Sequence, residues 1–135
     1  MSESGEDGID KETVRLFEKT EAQLEGFFEE IGNLSKKKPD DGVNTFKLGF
    51  INQMLERANQ LLGEQYRPFP DFSTFDIEAT VPTTSDVVTM LSQYLRAMDK
   101  FRKDHTTRSY AAAPSYWVLS NGNSHVQAKP PKDFA

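Results

Sequence analysis

The residues best suited to acid–base or metal chemistry in this sequence are its two histidines, His105 and His125. Asp104 directly precedes His105, but adjacent residues on a helix project in different directions, so the two do not form a catalytic pair. Neither His-Glu-x-x-His nor Glu-x-x-His occurs, and the chain contains no cysteine. Because zinc and di-iron sites need such ligands, the sequence predicts no metal site and no catalytic histidine.

Motifs for nucleotide and acyl-transfer chemistry are also absent from the sequence. It contains no Gly-x-Ser-x-Gly elbow, no phosphate-binding P-loop and no Gly-x-Gly-x-x-Gly fingerprint. We therefore predict a protein that is not an enzyme and that has no cofactor.

A row of glutamates is the most regular charged feature. Glu21, Glu25 and Glu29 are four residues apart and would share one face of a helix. Such a row could hold a cation weakly, or it could offer carboxylates to a basic target, as a small acidic inhibitor (antitoxin, immunity protein or phage-encoded antagonist) would. A hydrated helix face is the commoner meaning of this pattern. We expect these glutamates, together with Glu18, to face solvent.

A basic group with aromatic neighbours near the end of the third predicted helix could contact single-stranded nucleic acid. Its members are Arg96, Lys100, Arg102, Lys103, Arg108, Tyr110, Tyr116 and Trp117. The net charge of −5 opposes phosphate binding. Complementing the helix dipole and the acidic first helix explains the bases more simply. Weak nucleic-acid binding is therefore the less favoured alternative.

Three amphipathic helices must position these side chains. Apolar residues recur at helical spacing along residues 14–34, 46–62 and 87–101, which is the period of a buried stripe. A short connection between the first two helices favours antiparallel neighbours. The predicted fold class is mainly α, a three-helix antiparallel bundle.

Capping signals set the ends of these helices. We predict the first helix over residues 10–35, the second up to about residue 62, and the third from a Thr83–Asp86 capping box to residues 104–106. The boundary residues on which the other ends depend are Asp10, Pro39, Asn44 or Asp41, and Gly63.

A long connection between helices two and three carries an aromatic residue at every third position, namely Phe69, Phe72 and Phe75. Polyproline II and 3₁₀ conformations both have three residues per turn, so either would align the rings. Burying each ring is worth roughly 1.5–3 kcal/mol, enough to order a long loop. We predict an aromatic strap over the core, with Tyr66 or one ring at its rim, and an exposed docking motif as the alternative.

A C-terminal β-hairpin is predicted at about residues 115–128. Asn121-Gly122 is typical of a type I′ turn, and this turn pairs Trp117 with Val126. Tyr116 then lies on the face opposite Trp117. Because an isolated hairpin is marginally stable, the Trp117 face must contact the helices or a partner.

The 135 residues fit one domain, which we place at residues 9–128 between a disordered acidic tail at 1–8 and a flexible tail at 129–135. No apolar run is long enough to cross a bilayer, and the N-terminus lacks the features of a signal peptide. These observations predict a cytoplasmic protein that does not contact a membrane.

The function that we predict is a non-enzymatic protein-interaction or regulatory module. Large aromatic residues dominate protein interfaces, and a carboxylate row could meet a basic partner. The candidate partner-binding residues are Tyr66, Phe69, Tyr116, Trp117, Glu21 and Glu25. The expected partner is a protein.

Overall fold

The computed structural model describes residues 9–108, 114–119 and 126–128. Three helices and a small three-stranded sheet make up this part of the chain: α1 (Lys11–Lys37), α2 (Thr45–Tyr66), α3 (Thr84–His105), β1 (Thr106–Thr107), β2 (Ser115–Trp117) and β3 (Gln127–Ala128). The predicted helical bundle with a C-terminal hairpin is confirmed. The predictions for the two tails, for His125 and for the Asn121-Gly122 turn lie outside the described residues.

The helix boundaries follow the predicted caps. The Asp10 carboxylate accepts a hydrogen bond from the Thr13 amide at 2.7 Å and begins α1. The Asn44 side chain accepts from the Phe46 amide at 2.8 Å and begins α2. Thr83 and Asp86 form the predicted reciprocal capping box of α3. Local side-chain chemistry therefore sets all three starts.

Gly63 interrupts α2 before its last turn. Its φ of 67° lies in the left-handed region, where a residue with a Cβ atom is strained. The regular part of α2 consequently ends at residue 62, as predicted, and one further turn reaches Tyr66.

The helices do not alternate in direction along the chain. Lys47 of α2 pairs with Glu30 of α1, and Thr84 of α3 hydrogen bonds to the Lys38 carbonyl, so α1 is antiparallel to both other helices. The starts of α2 and α3 meet where the Val43 amide donates to the Pro82 carbonyl at 2.9 Å. Because α2 and α3 run in the same direction, the connection between them must return along the length of the bundle.

The connection between α2 and α3 is the predicted aromatic strap. A side chain of α2 hydrogen bonds to the backbone of this strap. The Asn52 side chain donates to the Phe75 carbonyl at 2.8 Å and accepts from the Phe75 amide at 2.9 Å. Phe72 and Phe75 pack against the core with their ring centroids 5.1 Å apart. Phe69 is 42% exposed. Two of the three rings are therefore partly buried against the core, and one lies at the rim.

The strands form an antiparallel sheet in the order β1-β2-β3. Tyr116 pairs with Gln127, and the Trp117 amide donates to the Val126 carbonyl at 2.9 Å, which confirms the predicted hairpin register. The prediction missed β1, which pairs with the other edge of β2. The hairpin is therefore anchored to the end of α3 and is not an isolated two-stranded element.

One property of the helices bears on membranes. Within residues 9–108, 114–119 and 126–128, none of the helices combines the length and the apolar character needed to cross a bilayer.

Candidate partner-binding surface

Trp117, the first aromatic candidate, is completely buried. Its ring lies edge-on to Phe17 with centroids 5.3 Å apart, and its Nε1 donates to Glu18 Oε2 at 3.1 Å. The sheet places this face against α1 and α3. Burial contradicts the selection of Trp117 as a partner-binding residue, because the side chain has no surface to offer.

Glu21 was expected in solvent and is instead 2% exposed. It forms an ion pair with Arg102 of α3, which is 1% exposed. Asp99 Oδ1 lies 3.5 Å from Arg102 Nη1 on the other side of the guanidinium. The antiparallel packing of α1 on α3 brings these charges together. They can be buried because each has a partner of opposite charge. We call Glu21, Asp99 and Arg102 the Arg102 cluster.

The Arg102 cluster contains one residue that each alternative function needs, Glu21 for the acidic inhibitor and Arg102 for nucleic-acid binding. Glu21 is neutralised inside the fold and is not available to a basic target. Arg102 packs its guanidinium 5.5 Å from the Phe17 ring centroid and is not available to phosphate. Of the remaining glutamates in the row, Glu25 is half-buried and Glu29 is exposed.

Tyr66 is brought together with Asp104 and His105 at the end of α2. The Tyr66 hydroxyl donates to Asp104 Oδ2 at 2.7 Å. Burial, reinforced by the hydrogen bond and charge of Asp104, raises the pKa of Tyr66 to about 12. The Tyr66 hydroxyl in turn holds the pKa of Asp104 below its ordinary value. Both groups therefore stay in one protonation state near neutral pH, which does not suit acid–base catalysis.

His105 is tied to its own helix. Its ring stacks on Phe101 with centroids 4.0 Å apart, and its Nδ1 lies 2.8 Å from the Phe101 carbonyl oxygen. Phe69 remains a surface candidate, and Tyr116 is half-buried. The six candidate residues thus do not form one surface.

Among the described residues, Phe46 is the most exposed aromatic side chain, although its helical spacing predicted that it belongs to the buried stripe of helix two. Phe46 is 73% exposed, and it contacts Phe50, which is 41% exposed, edge-on at 5.1 Å between centroids. Expecting both in the core was wrong. Both residues are two positions from the fully buried Leu48. Side chains two positions apart on a helix point about 160° away from each other around its axis. The position of both rings on the helix side opposite Leu48 is the feature of the sequence that predicts their exposure.

An ion pair between α1 and α2 involves the residue next to Phe46. Lys47 pairs with Glu30 of α1. Leu34, one turn after Glu30, is 44% exposed. We call Phe46 and Phe50 the Phe46 surface. Three exposed bases, at residues 36–38, come two to four positions after Leu34.

A groove of about 980 Å³ lies on a different side of the bundle, between α1 and α3. Its floor is apolar and includes Phe28, Val88 and Leu95, and Glu25 and Glu29 contribute carboxylates to its lining. Lys36 also lines the groove, so its walls carry charges of both signs.

The described residues provide no group of three or more histidine, aspartate or glutamate side chains placed to hold a metal ion. Comparison of the chain with models of protein families, with curated proteins and with solved structures finds no match.

Proposed function

We propose that this protein is a non-enzymatic interaction module that binds a protein partner through the Phe46 surface. The observation that carries the proposal is the 73% exposure of Phe46, next to the partly exposed ring of Phe50. Phenylalanine side chains placed together in water are typical of binding sites, because monomeric proteins keep such patches small.

These two rings would gain free energy if a partner covered them. Burying a phenylalanine side chain is worth roughly 1.5–3 kcal/mol, and most of that gain is not realised for Phe46 in the isolated chain. The two rings are one helical turn apart on a rigid helix, so ordering them on binding costs little conformational entropy. A partner with an apolar groove or helix face would gain from both.

A base on the α2-facing side of α1 supports a partner with acidic residues around its apolar contact. Lys37 is exposed in the last turn of α1 and lies seven residues after Glu30, the partner of Lys47. Charges at the edge of an interface mainly increase the rate of association and make binding selective for the correct partner. A base at this position also complements the negative end of the α1 dipole, and both roles are compatible.

Affinity capture from a native lysate with matched variants tests the proposal. Phe46→Ser with Phe50→Ser should lose the proteins that the unaltered chain captures. The control is Ile77→Ser, because Ile77 is 36% exposed and lies on the connection between α2 and α3. Equal melting temperatures would show that the fold is intact. Capture of the same proteins by all three forms would contradict the proposal.

A further inference from the structure

Phe46 and Phe50 belong to a longer stripe of side chains on one face of α2. Gln53 and Arg57 continue the stripe, since each step along it is three or four residues, the spacing of neighbours on a helical face. Gln53 is exposed, and Arg57 is half-buried. The stripe therefore leads from two apolar rings, through an uncharged amide, to a base.

Gly49 is next to Phe50 and one turn after Phe46 in the helical interior of α2. It is half-buried, and a Cβ atom built on it would meet nothing within 4 Å. A glycine inside a helix lowers its stability by roughly 1 kcal/mol relative to alanine. No neighbour in its own chain requires this glycine, whereas a close approach by another molecule would require it. Gly49 thus leaves a gap in the side-chain surface beside the exposed ring of Phe50.

An exposed ring and an adjacent gap on one helix complement each other across a two-fold axis. If two copies of α2 pack antiparallel with the axis between residues 49 and 50, Phe50 of each copy covers Gly49 of the other. The same register places Phe46 of each copy opposite Gln53 of the other. None of these four residues is charged, so like charges do not meet at the centre of the contact.

The charges at the ends of this register are complementary as well. Arg57 is opposite Gly42 of the second copy, and Gly42 directly follows the exposed Asp41. In the part of the chain that the structure describes, neither Arg57 nor Asp41 forms an ion pair. Arg57 Nη1 donates to a neutral acceptor, Gln23 Oε1, at 3.1 Å. A second copy would therefore supply the guanidinium with a carboxylate, once at each end of the contact.

We propose that the partner of the Phe46 surface is a second copy of this chain, bound by an antiparallel two-fold contact between the two α2 helices. Phe50 of each copy packs over Gly49 of the other, and Arg57 of each pairs with Asp41 of the other. Both pairs of exposed rings leave water in one contact. This inference rests on the proposed function, because it uses the same surface.

Sedimentation equilibrium of the purified full-length chain tests for this dimer. We expect the unaltered chain to dimerise. Gly49→Gln should raise the dimer dissociation constant by about tenfold or more, because the longer side chain fills the gap that receives the ring. The matched control is Gly26→Gln, since Gly26 is another helical glycine whose Cβ atom would meet nothing within 4 Å. With helix content equal by circular dichroism, equal dissociation constants for the two variants would overturn the proposed contact.

A charge exchange tests the register with a result that misfolding cannot imitate. Arg57→Glu alone and Asp41→Arg alone should each weaken the dimer by about tenfold or more, because like charges then meet at both ends. An equimolar mixture of these two variants should regain the dimer, since each end of the mixed pair again joins a base and an acid. A mixture that stays monomeric would overturn the register.

The dimer and the proposed function fail in different ways. If the unaltered chain is monomeric, but Phe46→Ser with Phe50→Ser still loses the proteins captured from a lysate, only the second copy as partner is overturned. If the unaltered and the doubly substituted chains dimerise equally, the Phe46 surface is contradicted in both proposals. Loss of the dimer in a doubly substituted chain with an unchanged melting temperature would support both.

Discussion

At the scale of single residues, the Arg102 cluster is the least expected feature. One guanidinium, 1% exposed, lies between the carboxylates of Glu21 and Asp99 and beside the rings of Phe17 and Trp117. Moving these charges out of water is unfavourable, so each group depends on the others. The cluster joins α1 to α3 directly beneath the sheet and fixes how these elements meet.

Replacing one member of the Arg102 cluster should therefore destabilise the fold. We expect Glu21→Gln, which keeps the volume of the side chain, to lower the free energy of unfolding by about 3 kcal/mol, because Arg102 loses a buried partner. Glu56→Gln, at an exposed position, should change it by less than about 0.5 kcal/mol. Denaturant unfolding of both variants measures the difference, and equal stabilities would show that the ion pair contributes little.

At the scale of elements, two glycines of α2 have opposite roles. Gly63 adopts a φ of 67° and ends the regular helix, whereas Gly49 lies in the helical interior. A Cβ atom built on Gly49 would meet nothing within 4 Å, so no neighbour requires a glycine there. Only Gly63 is needed for its backbone conformation.

Alanine at these two positions should change stability in opposite directions. Gly63→Ala should lower the free energy of unfolding by about 1–2 kcal/mol, since left-handed backbone is strained for residues with a Cβ atom. Gly49→Ala should raise it by up to about 1 kcal/mol, the difference in helix propensity. Thermal unfolding of the two variants tests the pair, and a stabilised Gly63→Ala protein would refute this description of the end of α2.

At the scale of the whole molecule, the sheet and the helices share one core. Trp117 and Leu119 of the sheet region belong to the same buried cluster as Phe17 of α1 and Phe101 of α3. The sheet also connects to the start of α1, where the Ile9 amide donates to the Val118 carbonyl at 3.2 Å. The two ends of the described chain therefore stabilise each other.

A shared core predicts that sheet and helices unfold together. Trp117 is the only tryptophan in the sequence, so its fluorescence reports on the sheet, while far-ultraviolet circular dichroism reports on the helices. We expect both signals to change at the same denaturant concentration, as in a two-state transition. A fluorescence change at lower denaturant would mean that the sheet detaches first.

The sequence by itself determined the features that depend on neighbours along the chain. Helix starts at Asp10 and Thr83, the glycine stop at residue 63 and the pairing of Trp117 with Val126 were all predictable, because caps and turns act over a few residues. The strap was predictable for a related reason, since three phenylalanines in a long loop need burial.

Only the tertiary structure decided which side chains of a repeating pattern are buried. Glu21 and Glu29 belong to the same row, yet Glu21 is buried against an arginine that lies 81 positions later in the chain, whereas Glu29 is exposed. The parallel direction of α2 and α3, the burial of Trp117 and the exposure of Phe46 were likewise settled by packing between distant segments. Side-chain spacing defines a helical face, but the neighbouring helix determines whether that face is covered.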